Sequence, residues 1–387
     1  MTQDKQSSPL KGITVLDLSR VLAGPYCTMI LANLGARVIK LEMPGIGDDS
    51  RAFGPFANGK SLYFAAINYD KQSIALNLKQ PADREIFEGL VGLADVLVEN
   101  FRPGTMEKLG YGWDVLHARY QNLIYGAASG FGDTGPYSRR AAYDMVVQGM
   151  GGVMSMTGQP DAPPTRVGVS IGDLAAGLYL TIGLLGALHK RSQGGGAVKV
   201  DVAMLDCQLS LLEDALPAYL RLGEIAQPQG SRHPEIAPFQ VYTTHDGYLV
   251  IAAGNDHLFA LMAKAMARPD LLDNPDYKTN NLRRAHVDQL EADMERTLRK
   301  RTTREWLEIL NAAGVPCGPI NSVADVTKDP QVAARHMIVS IADPVIGTLQ
   351  VAGNPIKMSG VPERADHTPP PAVDGDRAAI LALLKKT

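Results

Sequence analysis

Gly12-Ile-Thr-Val-Leu-Asp-Leu-Ser19 and Ala36-Arg-Val-Ile-Lys-Leu-Glu42 are short runs rich in branched aliphatic residues, and what lies between them decides the fold. Both read as strands. The first is followed by Arg20-Val-Leu-Ala-Gly-Pro25 and then by a helical stretch over 26–34, with Pro25 suited to a first helical position. Beyond Glu42 comes a turn-rich connection, Pro44-Gly-Ile-Gly-Asp-Asp-Ser50, reaching Asn58 and Gly59. Ser73-Ile-Ala-Leu-Asn-Leu78 alternates as a strand, and 81–93 forms an amphipathic helix. Asp95-Val-Leu-Val-Glu-Asn100 is the next strand, 104–116 is mostly helical, and Leu123-Ile-Tyr-Gly-Ala-Ala128 is a fifth strand. Strands alternating with helices make an α/β sheet, whose ligands lie at the carboxyl ends of the strands.

The second half turns on Arg166-Val-Gly-Val-Ser-Ile-Gly-Asp-Leu-Ala-Ala-Gly-Leu-Tyr-Leu-Thr-Ile-Gly-Leu-Leu-Gly-Ala-Leu-His189. Val167, Val169 and Ile171 alternate as in an extended entry. From Leu174 an apolar run of about four turns, holding Gly177, Gly183 and Gly186, reads as a buried helix packed closely by its neighbours. That run is short for a bilayer, which takes ~20 apolar residues. Asp173 is the only charged residue between Arg166 and His189. It reads in two compatible ways: a helix N-cap, or a carboxylate activated by partial removal from water. Local sequence does not choose between them.

Gly194-Gly195-Gly196 is a turn before the strand-like Val198-Lys-Val-Asp-Val202, and 206–222 is helical. The Pro-rich and polar segment 226–238 reads as a linker. Phe239-Gln-Val-Tyr-Thr-Thr244 and residues 248–253 make a β-hairpin around His245-Asp-Gly247. Helices then fill much of 258–312, and Pro316-Cys-Gly-Pro319 is a turn. Strand character returns over 347–359, with a last helix over 376–385.

Composition narrows the classes. Of 387 residues, 45% are hydrophobic and 20% charged, as in ordinary globular chains. A net charge of −3 argues against a nucleic-acid binder. Three widely spaced cysteines, Cys27, Cys207 and Cys317, make neither a disulfide framework nor a metal site. The N-terminus has no apolar core and reads as a loose tail, so the default is a cytoplasmic protein with no membrane partner. No G-x-G-x-x-G follows the first strand and no Walker A motif is present. A phosphate-bearing ligand would therefore rest on helix N-termini and on side chains such as Lys79 and Arg102. Taken singly, such cations are ordinary solvated surface.

Several segments together resemble the class III CoA-transferases, the family of formyl-CoA transferase and carnitine CoA-transferase. They are Leu16-Asp-Leu-Ser-Arg-Val-Leu-Ala-Gly-Pro25, residues 36–42, Asn77-Leu-Lys79, Asp95-Val-Leu-Val-Glu-Asn-Phe-Arg-Pro-Gly104, Gly172-Asp173 and Gly314-Val-Pro-Cys-Gly-Pro319. The resemblance implies a Rossmann-like large domain over 1–224 and 329–387, a smaller α+β domain over 225–328, and an interlocked ring-like homodimer. It implies coenzyme A or acyl-CoA as substrate, a small carboxylic acid as second partner, and no permanently bound cofactor or metal. Asp173 is implied as the nucleophile, passing through an aspartyl anhydride and an aspartyl-CoA thioester. Val21, Leu22, Leu76, Lys79, Asn100, Phe101, Arg102, Lys108 and Tyr143 are implied as CoA contacts. The chain departs from formyl-CoA transferase at Met43 and Ala141, where that enzyme has an arginine and a lysine; Arg139 and Arg140 stand nearby as substitutes. Residues 230–238 take the place of its glycine-rich loop, so formate and oxalate are not assigned as substrates.

Two other activities remain open at this point. An α-methylacyl-CoA racemase needs a His/Asp pair, and Ala142-Tyr143-Asp144 offers tyrosine where the histidine belongs. A tyrosine hydroxyl, which ordinarily titrates at about 10, shuttles protons poorly near neutrality. A CoA-binding protein without turnover would have no need of Gly172-Asp173. His233 and Arg166 fit an anionic acceptor, but an ordered linker and an ordinary salt bridge account for them more simply.

Overall fold

The computed structural model describes residues 8–385, so most of the tail reading, on residues 1–7, lies outside the described residues. Two compact units are present. The first runs through Met154, resumes over Arg166–Ile225 and again from Gln331; the second comprises Ser155–Thr165 and Ala226–Pro330. Ser155–Thr165 thus groups with the second unit, where the linear reading keeps it within 1–224.

In the first unit the order is β1 (Thr14–Asp17), α1 (Ala23–Asn33), β2 (Arg37–Glu42), β3 (Phe56–Ala57), β4 (Lys60–Ser61), α2 (Leu62–Asn68), β5 (Lys71–Ala75), α3 (Pro81–Leu93) and β6 (Val96–Glu99). There follow α4 (Thr105–Leu109), α5 (Trp113–Arg119), β7 (Ile124–Ser129), α6 (Asp144–Met150), α7 (Ile171–Ser192), β8 (Lys199–Ala203), α8 (Met204–Ser210) and α9 (Ala215–Leu222). Among the described residues, six strands form one parallel sheet in the order β5-β2-β1-β6-β7-β8. The chain winds outward from β1 in one direction through β2 and β5, then restarts on its other side with β6, β7 and β8. The topology therefore reverses between β1 and β6, and in sheets of this kind the strands' carboxyl ends at such a point are where a ligand crevice is expected.

The strands are apolar on both faces because both are covered. One face carries Val15, Val38, Val96, Val98 and Ile124 against α1 and α7; the other carries Leu16, Ile39, Ile74 and Leu97 against α3, α4 and α5. The chain's return strands, Ile338–Asp343 and Gly347–Ala352, pair antiparallel and pack Ile341, Leu349 and Val351 on Ala65 of α2 and on Tyr69 just after it.

α7 differs from its reading in length. It runs 22 residues, beginning at Ile171 with no strand before it, and by length and composition alone it could cross a bilayer. Its contacts are those of a core helix. A Cβ on Gly177 would stand 2.8 Å from the Ala23 carbonyl of α1, and one on Gly183 would stand 2.6 Å from Val200 Cγ1 of β8. These two glycines let neighbours approach within van der Waals range of the helix backbone. Gly186 meets nothing within 4 Å. Buried Ala176, Leu180 and Leu184 face the sheet, while Leu178, Tyr179 and Ile182 are exposed.

Two helical stretches are broken. Residues 104–116 divide into α4 and α5 at Gly110, whose φ of +83° ends the first helix. Residues 206–222 divide into α8 and α9 around Glu213, at φ +47°. In the second unit the hairpin Phe239–Thr243 and Tyr248–Ala252 forms as read, and Cys317–Pro319 joins it as a third strand rather than a plain turn. Its helices bury Phe259, Met262, Leu290, Met294 and Trp306 against that sheet.

Candidate active site

The switch point brings two of the predicted segments together. After β1 the chain makes a turn over Ser19, Arg20 and Val21; after β6 it continues as Asn100, Phe101 and Arg102. The Asn100 side chain locks the two: its Oδ1 accepts the Arg20 N–H at 2.7 Å and its Nδ2 donates to the Arg20 carbonyl at 2.7 Å. The Arg20 guanidinium lies 5.3 Å from the Phe101 ring centroid. Below, Glu99 accepts the Phe101 N–H at 2.7 Å and the Tyr125 hydroxyl at 3.1 Å. Burial dominates over these bonds and pushes its carboxyl up to about 7.

Other predicted contacts are spread more widely. Lys79 follows β5 on a turn closed by Asn77, whose Oδ1 accepts the Lys79 N–H at 3.1 Å. Lys79, Arg102 and Lys108 are exposed, and none of the three forms an ion pair among the described residues. Leu22 and Leu76 are 9% and 2% exposed. Leu76 packs in the core with Leu16 and Leu78, so its side chain does not face a ligand and only its backbone is offered. Tyr143 is exposed at the N-cap of α6. Met43 is exposed, and Arg140 lies over the rings of Tyr137 and Phe131 at 4.5 and 5.3 Å.

The start of α7 is held against α6 by a chain of hydrogen bonds. Buried Gln148 accepts the Val167 N–H at 2.9 Å and donates to Asp144 Oδ2 at 2.7 Å. Asp144 Oδ1 in turn accepts the Gly172 N–H at 2.8 Å. A Cβ on Gly172 would stand 2.8 Å from Val147 Cγ2 and 3.0 Å from that same Asp144 oxygen, so this approach requires glycine.

Asp173 follows directly. It is the third residue of α7; Ser170 is the N-cap, and its own side chain makes no capping hydrogen bond. The capping role expected from local pattern is thus not what Asp173 does. Its half-buried carboxylate has no hydrogen-bond or ion-pair partner among the described residues. Burial and then the Asp144 charge push it up to about 7. A carboxylate left without a cation and partly removed from water, in the first turn of a helix, has the environment of a nucleophile.

Three further groups carry no signal in the sequence on their own: Asp144 and Tyr63, which interact with Asp173, and Asp48, which interacts with Tyr63. Burial, then the Asp173, Asp48 and Asp144 charges, push the Tyr63 hydroxyl up to about 12, which keeps it a proton donor. Tyr63 lies in α2, a helix with no distinct sequence signal between Asn58 and Ser73. Asp48 sits in the turn-rich connection, and Asp144 enters the sequence reading only beside the racemase position. In the structure both Asp144 oxygens accept bonds, from Gly172 and Gln148. Among the described residues no three His, Cys, Asp or Glu side chains gather as a metal site would require.

Comparisons with known proteins give the family. The family model described as CoA-transferase family III matches residues 10–377. The chain belongs to CoA-transferase family III. This family III CoA-transferase is 43% identical over 380 residues to an acetyl-CoA:oxalate CoA-transferase of Acetobacter aceti, covering 98% of this chain and 96% of the relative. It is 38% identical to a succinyl-CoA:glutarate CoA-transferase of Mus musculus, over 96% of this chain and 86% of the relative. A crystal structure of a CAIB/BAIF family protein from Brucella suis superposes with a TM-score of 0.86 at 38% identity, covering 98% of this chain and 100% of that one.

His233 belongs to the second unit, where it stacks on Phe239 at 5.0 Å and its Nδ1 accepts the Glu235 N–H at 3.0 Å. It orders the linker, in keeping with the simpler account. Arg166, exposed, donates to the Gly168 carbonyl at 3.1 Å; no salt bridge of the kind expected forms among the described residues.

The unpaired cations give a direct expectation for CoA. If these two cations meet CoA phosphates, replacing Lys79 and Arg102 together by Ala is expected to weaken CoA binding about tenfold at low salt and to flatten its salt dependence, because screened attraction is removed. Titration calorimetry at two ionic strengths checks this; unchanged affinity at low salt would reduce both to surface charges.

Proposed function

We propose that this CoA-transferase moves CoA from an acyl-CoA donor to a short dicarboxylic acid, with Asp173 as the covalent nucleophile. The observation that carries the reading is the unpartnered, half-buried Asp173 carboxylate on a glycine-tight helix start. It attacks the donor thioester carbonyl, giving an aspartyl mixed anhydride and the CoA thiolate. The thiolate returns to the aspartyl carbonyl, forming an aspartyl-CoA thioester and releasing the donor acid. The acceptor carboxylate attacks that thioester, expelling the thiolate and making a second anhydride. The thiolate then attacks the acceptor's acyl carbon, which forms the new acyl-CoA and frees Asp173. An ionised carboxylate needs no separate base for these steps.

The dicarboxylate class is supported by the relatives, whose names include oxalate, glutarate, mesaconate and D-citramalate. Oxalate, set aside on the sequence because residues 230–238 replace a glycine-rich loop, returns as an acceptor to test. Incubation with acetyl-CoA and succinyl-CoA against a panel of mono- and dicarboxylic acids, with mass-spectrometric detection of new thioesters, tests the class. Preference for monocarboxylates would overturn it.

The CoA contacts proposed are Val21, Leu22, Lys79, Asn100, Phe101, Arg102, Lys108 and Tyr143, with Leu76 through its backbone. The enzyme is further proposed to work as a cytoplasmic homodimer. Support comes from exposed apolar side chains on α6, α7 and α9: Met145, Val146, Leu178, Tyr179, Ile182, Leu220 and Leu222. A second copy covering them would remove a surface that a monomer has reason to avoid. Light scattering is expected to give twice the chain mass, and Ile182→Glu to lower it; a monomeric wild type would contradict this.

A further inference from the structure

The turn after β1 contains an anomaly that the assigned chemistry does not use. Val21 has φ +68°, the left-handed region that a β-branched residue strongly disfavours. Glycine would take it freely. A conformation of this kind persists only where the surroundings hold it, and here the restraints can be named. Asn100 grips both backbone groups of Arg20. Lys40 of β2 donates to the Ser19 carbonyl at 2.8 Å. Asp48 Oδ1 accepts the Val21 N–H at 3.1 Å, and the same carboxylate pairs with Lys40 at 2.8 Å.

That carboxylate is itself anchored. Asp48 Oδ1 also accepts the Ser50 N–H at 2.8 Å and the Ser50 hydroxyl at 2.7 Å, while the Asp48 N–H donates to Glu42 at 2.8 Å. Arg51 closes the rear through two bonds of 2.7 Å to Glu42. Lys40 and Asp48 are 0% and 2% exposed. Burial works against the Lys40 ammonium, but the Asp17 and Asp48 charges outweigh it and raise its pKa. Four buried charges, Asp17, Lys40, Asp48 and Lys71, thus lie beside this turn, with Lys40 and Asp48 the two that reach its backbone, at the point where the sheet's topology reverses.

We propose that the Lys40–Asp48 ion pair is a positioning device, holding Val21 left-handed so that the β1–α1 turn is preshaped to receive acyl-CoA. The inference rests on the assignment of this crevice to CoA. Neither residue touches the thioester; both act through the backbone of Ser19 and Val21. Loss of the grip lets Val21 relax toward a commoner conformation, which costs ground-state binding of CoA more than it costs the chemical step at Asp173.

The test uses Asp48→Asn and Asp48→Glu in the full-length enzyme. Glutamate keeps the buried charge for Lys40 but displaces the oxygen that accepts the Val21 N–H, so it serves if the asparagine variant does not fold. In the folded variant, KM for acyl-CoA is expected to rise about tenfold with kcat within about threefold of wild type. Val21→Gly alone, which removes a side chain proposed to touch CoA, sets the reference; adding it to the Asp48 variant should bring KM back to that reference, because glycine needs no restraint to stay left-handed. A purely structural ion pair would lower Tm, leave KM unchanged and show no rescue; that result, in either folded variant, would overturn the proposal. Calorimetry of the wild type with CoA separates the two levels. Absence of CoA binding would bring down the crevice assignment and this inference with it, whereas CoA binding with an unaltered KM in the variants would bring down the inference alone.

Discussion

Asp173→Asn is expected to lower CoA transfer by at least about 10⁴-fold while CoA binding and the fold are retained. The amide has the carboxylate's shape but cannot form the anhydride. The same variant carries a stability signature with a definite sign. The Asp173 carboxyl is pushed up to about 7 in the folded chain, above its value of about 3.9 in an unfolded one. The folded state therefore holds this proton more tightly, and ionising it costs stability. That cost is complete above about pH 7 and fades as pH falls from there toward the unfolded value. Relief of about 2 kcal/mol, after allowance for solvent at a half-buried group, raises Tm at pH 8 by about 2–4 °C. The gain should shrink steadily between pH 7 and pH 5. For the wild type, kcat/KM should rise with pH up to about 7 and then level, as the free carboxylate forms. Turnover near the wild-type rate, or a Tm gain that grows toward acid, would remove Asp173 from the chemistry or its carboxyl from this environment.

Gly172→Ala is expected to cost about 10²-fold in kcat with far less change in CoA affinity. The added methyl group would meet Val147 Cγ2 at 2.8 Å and Asp144 Oδ1 at 3.0 Å, and Val147 is fully buried. Neither neighbour yields cheaply, since overfilling a packed site costs roughly 1–3 kcal/mol. The helix start must therefore move, which lengthens the Gly172–Asp144 bond and carries Asp173 with it. Steady-state kinetics beside calorimetry separates the two effects. An unchanged kcat would mean that the α6–α7 contact does not set the nucleophile's position.

How far the sequence is legible follows from how local each signal is. Five of the six sheet strands can be read to within two residues because apolar β-branched runs bounded by turns have few other solutions. β5 lies at Lys71–Ala75, earlier than the 73–78 read, because alternation continues past its end into Leu76 and Leu78. The order β5-β2-β1-β6-β7-β8 cannot be read, since pairing between distant strands leaves no mark on either one. α7 is located by its sequence but reads as shorter than its 22 residues, because its first turn is Ile-Gly-Asp and its last contains His189, Lys190 and Arg191. Periodicity alone finds only the apolar middle of such a helix. Breaks at Gly110 and Glu213 escape notice because apolar spacing continues across them.

The site divides in the same way. Asp173 stands out as a lone charge in an apolar run, and family resemblance gives it a role. Asp144, Gln148 and Tyr63 are joined to it only by folding: 28 residues separate Asp144 from the Gly172 N–H that it accepts. The Lys40–Asp48 pair is likewise invisible, because a lysine in a strand and an aspartate in a turn are ordinary until both are buried. Leu76 shows the converse limit. Its position matches a CoA contact by resemblance, and only the fold shows that its side chain belongs to the core, which leaves the backbone for such a contact.

The covalent role of Asp173 is tested most directly by trapping it. Enzyme is mixed with an acyl-CoA donor and no acceptor, treated with hydroxylamine or borohydride, digested, and the peptide carrying Asp173 is weighed by mass spectrometry, with a parallel sample in heavy water. A transferase acylates this carboxylate part-way through its cycle, so the side chain becomes an electrophile. The expected result is a hydroxamate or alcohol at Asp173 alone, with no deuterium in the recovered thioester. An unmodified Asp173 peptide together with deuterium at the α-carbon would contradict the account and point to proton abstraction instead.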